Sequence, residues 1–303
     1  MAGLSSLASA VAGGAGGLTY QSLKSKYMDF TYPLASIEMN GKPFHDDNII
    51  VGAVNVEATS GFEASVAKLR LLNVYDTDTG KFRYDAVKNS VMLGASLTVK
   101  LGYLDAQEIV FVGFIASVNF GFDPMDLPYI EITGMDAKGI MMANSYAMQL
   151  TSRSYSEAVS EILQKTSYEK LKSANAIKAI HVTDTPDKKA AGGKNTASAE
   201  TIEMVEESDY EFIVKSAKKF NYEFFIDRGE VYFRKAKSDT SILMELGVGE
   251  GLVTFDVGYA ITGIVENVEV RAMSPGTGKV IKAKSKLSSN LSTGSRAKGL
   301  ISK

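Results

Sequence analysis

Between Tyr27 and Ala143 the chain keeps a period of two. Apolar and polar residues alternate in short runs separated by turn signals, a pattern that suits a strand with one buried face and not a helix. Ser96 to Tyr103 is the cleanest run. Leu97, Val99, Leu101 and Tyr103 fall on one side, and Ser96, Thr98 and Lys100 on the other. Val54, Val56 and Ala58 alternate with Asn55 and Glu57, Leu69 and Leu71 share a face of Lys68 to Leu72, and Ile130 and Ile132 share one of Tyr129 to Thr133. Ile109 to Phe122 is apolar on both faces and reads as a central or doubly covered strand, stopped by Pro124 and Pro128. Asn40-Gly41 predicts a hairpin, because both residues tolerate positive φ, and Thr77-Asp78-Thr79-Gly80 predicts a turn. Strands at this spacing predict a closed or nearly closed antiparallel barrel.

After Ser154 the period changes. Ser154-Tyr155-Ser156-Glu157 and Ser208-Asp209-Tyr210-Glu211 both fit the capping box, in which the serine hydroxyl and the carboxylate three residues on satisfy each other's free amides. Ala158, Val159, Ile162 and Leu163 follow the first box on one helical face, and Phe212, Ile213, Ala217 and Phe220 follow the second. Asn221 closes the second helix, and Tyr222 to Ile226, Asp227-Arg228-Gly229 and Glu230 to Arg234 read as a hairpin packed on it. Asp184 to Glu200 lacks apolar periodicity and reads as a loop. Strands return at Leu252 to Gly258 and Gly263 to Met273, with a turn at Ser274 to Gly278, where a second barrel would begin.

Composition removes whole classes of chemistry. With no cysteine the chain has no disulfide framework, thiolate zinc site or cysteine nucleophile. His45 and His181 are the only histidines, far apart and without a second imidazole at ligand spacing. A net charge of −2 argues against a dedicated nucleic-acid binder. Ser274 to Lys279 matches a phosphate loop in three letters only, and Asp76 to Gly80 lacks the rest of a calcium loop. Glu203, Glu206, Glu207, Asp209 and Glu211 crowd a helix start, where carboxylates favour the positive end of the macrodipole. The aromatics Phe212, Phe220, Tyr222, Phe224 and Phe225 fit helix and strand core spacing better than a stacking platform for bases. There is no G-x-S-x-G elbow. No cofactor, metal site or catalytic residue is expected.

The two ends differ from the body. Met1 to Leu18 superficially resembles a secretory signal but carries no basic residue before Lys24, and it is too short and glycine-rich to span a bilayer, so it reads as a flexible arm that orders only against a neighbour. From Ser274 onward Lys282, Lys284, Lys286, Arg296 and Lys298 occur without one Asp or Glu, a basic tail that is either solvated or docked on an acidic partner surface.

Three segments recur in a known order. Leu101-Gly102-Tyr103 closes one predicted strand, Phe111-Val112-Gly113-Phe114-Ile115 runs through the next, and Gly134-Met135-Asp136 closes a third. Glu207, Ser208, Asp209, Phe212, Ala217 and Gly229 mark a helix-plus-hairpin segment, and Gly263 to Ile281 follows. Over roughly residues 27 to 285 this series resembles the late control D proteins of phages and the hub half of VgrG-type spikes. The resemblance implies an α+β, mainly antiparallel β chain with two tube-protein-like β-barrels and an α/β insert between them. Its expected divisions are an arm over 1–24, a first barrel over 25–145, an α/β domain over 146–245, and the start of a second barrel plus basic tail over 246–303. No OB-fold spike follows, so a separate spike protein is implied, and the chain stops before the strands that close the second barrel in that family. The implied role is the structural hub of a contractile-tail baseplate, a homotrimeric ring joining a sixfold tail tube to a threefold spike around a lumen, without enzymatic activity. Its implied partners are tail tube, spike, tape-measure and wedge proteins, and its implied location is the bacterial cytoplasm during assembly and then the particle. The rival expectation is a tail-tip cell-wall hydrolase or carbohydrate-binding protein.

Overall fold

The computed structural model describes residues 18–46, 48–104, 106–143, 145–187, 202–238, 241–258, 267–274 and 276–286. The chain divides into two units, Met1–Glu245 and Leu246–Lys303.

The alternating runs of the first unit become strands β1 (Leu18–Thr19), β2 (Pro33–Met39), β3 (Lys42–Pro43), β4 (Ile50–Glu57), β5 (Val66–Leu72), β6 (Tyr75–Asp76), β7 (Lys81–Phe82), β8 (Ser96–Tyr103), β9 (Ala106–Gly121) and β10 (Tyr129–Met135). Seven of them form one antiparallel sheet in the order β3-β2-β8-β9-β10-β5-β4. Register follows the hydrophobic pattern, because a one-residue slip would turn every buried side chain to solvent. Ile37 pairs with Val99, Met39 with Leu97, Ile130 with Leu71 and Ile132 with Leu69, and all eight are buried in one core. Asn40 and Gly41, both at positive φ, form the tight turn between β2 and β3.

The expected barrel is not closed. β2 pairs with β3 only at Glu38 and Met39, β4 pairs only with β5, and no ladder joins β4 to β2 among the described residues. Side-chain periodicity reports which face of a strand is buried, but not whether its edge finds a partner.

β9, sixteen residues long, is covered on both sides as expected. Phe111 and Ile115 enter the core of the sheet, whereas Phe114 enters a second core with Ala137, Met141 and the helices that follow. This second core is built from β11 (Tyr146–Leu150), β12 (Ala179–Val182), β13 (Ile202–Glu207), β14 (Tyr222–Asp227) and β15 (Glu230–Lys235), with helices at Tyr155–Leu163, Thr166–Ser173 and Asp209–Phe220. β14 and β15 form the expected hairpin, and Asn221 closes the preceding helix in the left-handed region. The helix at Thr166–Ser173 and strand β12, parallel to β15, are additions to the sequence reading. Only Tyr168 and Leu171 of that helix are buried, too few to set up a visible helical period. The box at Ser154 is half formed: Ser154 accepts the Glu157 N–H, but the Glu157 carboxylate accepts from Arg153 N, outside the cap. The box at Ser208 is complete.

β1 pairs in parallel with β16 (Met244–Glu245) ahead of a helix at Tyr20–Lys26. The second unit carries β17 (Gly247–Val248), β18 (Gly251–Leu252), β19 (Asn267–Met273) and β20 (Val280–Lys286). The strand expected over Leu252 to Gly258 is thus two residues, Gly251–Leu252, and β19 pairs with β20 alone. Among the described residues the second unit therefore contains a hairpin rather than a barrel. Residues 1–17, most of the loop expected at 184–200, and Arg296 and Lys298 lie outside the described residues.

Candidate functional site

The motif residues of the sheet are places where two backbones come close. A Cβ on Gly102 would sit 2.1 Å from the Ala106 carbonyl oxygen, and one on Gly113 2.1 Å from the Met135 carbonyl oxygen. A Cβ on Gly134 would lie 2.6 Å from Leu97 Cδ2, next to the buried ring of Phe111. Leu101 is half-buried against the same core, and Tyr103 at the end of β8 packs its ring on Tyr27 and Phe30. Gly229 takes φ +87° in the β14–β15 turn, where a side chain would press on Val112 of β9.

Asp136 follows the last residue of β10 and is 1% exposed. It accepts hydrogen bonds from Ser65 N and Lys138 N, both at 2.9 Å, while its own N–H donates to the Ser65 carbonyl. Lys138, fully buried, donates its ammonium to the carbonyl oxygens of Gly61 at 3.0 Å and Glu63 at 2.5 Å. Burial pushes the Asp136 carboxyl above the usual carboxylate range and the Lys138 ammonium below its ordinary value. The pair ties the loop between β4 and β5 to the end of β10. Lys138 was not a candidate in the sequence, because a lone lysine between alanine and glycine carries no sign of burial.

Asp209 makes a second buried joint. It accepts from Lys165 Nζ at 2.7 Å and from the Tyr168 hydroxyl, so the start of one helix holds the start of another. Ser208 caps the helix at Glu211 N, and the Ser208 N–H holds the Glu211 carboxyl below the usual range. Phe212 stacks on Tyr155, 6.1 Å between ring centroids, and Ala217 is buried. Burial, then the bond to Asp209, push the Tyr168 phenol well above its ordinary value. Above pH ~10 a tyrosine in the unfolded chain ionises while Tyr168 in the folded chain keeps its proton, so its contribution is present below that pH and declines above it. Tyr168→Phe is expected to cost about 1.5–3 kcal/mol at neutral pH, the worth of a hydrogen bond to a charged group. It should also flatten the alkaline fall in stability, and urea unfolding from neutral to strongly alkaline pH checks both effects.

These residues form two structural joints and a set of close backbone approaches, not one reactive centre. A groove of 400 Å³ is lined by Glu157 and Glu161, but Glu157 accepts from Arg153 N and Glu161 from Ser152 Oγ, so both carboxylates are engaged locally. Among the described residues no group of three His, Asp or Glu side chains is placed to hold a metal ion, and no helix is long and apolar enough to cross a membrane.

Exposed apolar surface is the feature the sequence reading passed over. Tyr75, Phe82, Tyr84, Phe120 and Phe122 form a chain of ring contacts 5.2–5.6 Å apart, and Phe122, Met125 and Leu127 beside it are 60%, 94% and 64% exposed. In the second unit Val268, Val270, Ile281 and Ala283 share one face of the β19–β20 hairpin, and Arg271, Lys282 and Lys284 the other. Lys284 pairs with Glu269 at 3.1 Å, and Lys286 ends β20. A two-stranded hairpin with an uncovered apolar face is marginal in water. The aromatics that run on past the buried part of β9, Asn119 to Phe122, were the available signal.

The model of the Alg8 N-terminal domain family matches residues 33–301. The chain belongs to the Alg8 N-terminal domain family. That description differs from the late control D family, which the motif series resembles. The fold of this Alg8 N-terminal domain chain is shared with a tail protein from Neisseria meningitidis MC58, at 14% identity and TM-score 0.51 over 85% of this chain and 68% of that one. Similarity to prophage tail protein gp18 from Listeria monocytogenes EGD-e has 8% identity and TM-score 0.42 over 83% and 67% of the two chains. No curated protein matches the Alg8 N-terminal domain chain in sequence.

Proposed function

We propose that this chain is a structural component of a phage tail or a related particle, and within it the baseplate hub. The observation that carries the reading is the fold shared with the Neisseria tail protein over 85% of the chain. Three features of the molecule support it. The sheet keeps open edges at β2 and β4, an aromatic surface lies exposed beside Met125, and the β19–β20 hairpin leaves an apolar face without cover. Contiguous exposed apolar surface and unpaired edges mark assembly surfaces.

In this reading three copies form a ring around a lumen, and each supplies two tube-like barrels, the seven-stranded sheet being the body of the first and the β19–β20 hairpin the start of the second. The divisions at 24/25, 145/146 and 245/246 are those of the arm, first barrel, insert and second barrel. The ring meets a sixfold tube on one side and a separate threefold spike on the other, with tape-measure and wedge proteins as further partners. It assembles in the bacterial cytoplasm and works by holding its neighbours, not by bond chemistry.

Native mass spectrometry and negative-stain imaging of the purified chain test this. Three copies in a ring with six lobes are expected. A monomer that stays monomeric with tube and spike proteins added would overturn the hub, and clearing of peptidoglycan abolished by one carboxylate substitution would replace it with the hydrolase.

A further inference from the structure

The residues that lead into the first sheet hold a strained backbone. Met28, Asp29, Phe30 and Tyr32 take φ of +50°, +56°, +57° and +55°, and none of them is glycine. L residues visit this left-handed region singly and at a cost, aspartate more readily than the others, so a run of three is opposed by its own backbone. Such a conformation persists only where neighbouring contacts impose it, and it concentrates in segments that switch.

The contacts that impose it here lie near the surface. The rings of Tyr27 and Phe30 are 5.9 and 5.6 Å from that of Tyr103 at the end of β8, and Phe30 is also 5.7 Å from Tyr20. Lys26 Nζ bonds Glu108 of β9 at 2.7 Å, with side chains 40% and 34% exposed. The helix Tyr20–Lys26 has no buried residue. A short helix without a buried face and an exposed ion pair hold weakly. Another element nevertheless depends on them. β16 has β1 as its only strand partner among the described residues, in a ladder of Leu18 with Met244 and Thr19 with Glu245. β1 runs straight into the helix, and Thr19 Oγ1 accepts the Ser22 N–H as its cap. β16 is the last strand of the first unit and ends where Leu246 begins the second.

We infer that residues 18–32 form a strained latch, clipped to the sheet at Tyr103 and Glu108, which opens as one piece while the sheet stays folded and in opening releases β16. Closed, the chain leaves the first unit from a paired strand; open, it leaves from a free segment. The inference needs only one copy of the chain, so its failure would leave the assembly reading untouched.

Hydrogen exchange of the full chain, resolved to single amides, tests this. The Leu18 N–H donates to the Leu243 carbonyl and the Tyr27 N–H to the Leu23 carbonyl, both at 2.9 Å, whereas the Ile115 N–H donates to the Ala95 carbonyl in the body of the sheet. Phe30→Ala removes the ring contacts and is expected to speed exchange at Leu18 and Tyr27 by one common factor, about tenfold, with Ile115 unchanged. Lys26→Ala leaves the ring cluster intact and should speed both by a smaller common factor. Met28→Gly, at a half-exposed side chain, should act the other way and slow both by about 2–5-fold, because glycine takes positive φ freely. A glutamate-specific protease should also cut after Glu245 faster in Phe30→Ala than in the parent. Faster exchange at Tyr27 with none at Leu18 would mean that the helix frays alone, and the release of β16 would be overturned. Acceleration of Ile115 by the same factor would mean that the segment opens only with the sheet, and Met28→Gly without effect would remove the strain; either result overturns the latch.

Discussion

Gly113→Ala is expected to unfold the first unit or leave it barely stable. Gly113 lies inside β9, opposite Leu97 of β8 and three residues before Ala116, the extra residue of β9 where its register with β10 shifts between Thr133 and Gly134. An added methyl group would meet the Met135 carbonyl oxygen at 2.1 Å, its carbon at 2.8 Å and the Phe111 ring at 2.8 Å. The Phe111 ring is packed in the core, and Met135 belongs to the neighbouring strand, so neither gives way cheaply. The cost is expected at or above about 3 kcal/mol, the upper end of ordinary overpacking, because the obstacle is backbone. Gly258→Ala is the matched control. Among the described residues nothing lies within 4 Å of its added methyl, and its φ is outside the left-handed region, so it should change stability by less than about 0.5 kcal/mol. Urea midpoints of the two variants, followed by circular dichroism, separate a steric effect from a general intolerance of alanine for glycine. Equal midpoints for Gly113→Ala and the parent would mean that β9 and β10 can part without loss.

The alternation of Leu97, Val99 and Leu101 was legible because a strand's period is local, and so were the helix caps at Ser154 and Ser208. The double cover of β9 was legible from apolar residues on both faces, although not what covers it. Properties that depend on distant parts of the chain were not. Gly113 stood out as a motif position, but the need for a missing Cβ comes from Met135, twenty-two positions on. Asp209 read as one carboxylate among several at a helix start, whereas its partners are Lys165, just before a helix with almost no periodic signal, and Tyr168 within it. The open edges of β2 and β4 were hidden for a related reason. Both strands carry an ordinary inward face, and the pairing of an edge is decided by the closure of the whole sheet.

These same distant contacts tie the two cores of the first unit together. β9 feeds Phe111 and Ile115 to one core and Phe114 to the other, Gly229 sets the β14–β15 turn against Val112, and Lys138 lies 5.8 Å from the Phe224 ring. A load applied to the elements of the second core is therefore carried into the sheet through packed side chains and buried hydrogen bonds.

Lys138 is where that coupling should be easiest to break. Its ammonium satisfies the carbonyls of Gly61 and Glu63, and its charge lies near the buried Asp136 carboxylate. Lys138→Ala leaves two carbonyls unsatisfied, a cavity, and Asp136 without its neighbouring positive charge. Breaking a buried pair from one side typically costs about 3–5 kcal/mol, more than either partner contributes when both are present. Lys138→Met keeps most of the volume and should cost less, and the difference between the two variants measures the packing part. Adding Asp136→Asn to Lys138→Met removes the uncompensated charge while retaining a side-chain acceptor for Ser65 N or Lys138 N. The double variant is therefore expected to recover part of the loss, a coupling of about 0.5–3 kcal/mol between neighbours in one network. Cleavage by a glutamate-specific protease reports the structural consequence, because Glu63 lies on the loop that Lys138 holds. Lys138→Ala should be cut there under native conditions at a rate well above the parent. If Lys138→Ala keeps the parent's urea midpoint and resists cleavage, the loop is held by Asp136 and Ser65 alone, and the lysine is a passenger in the core.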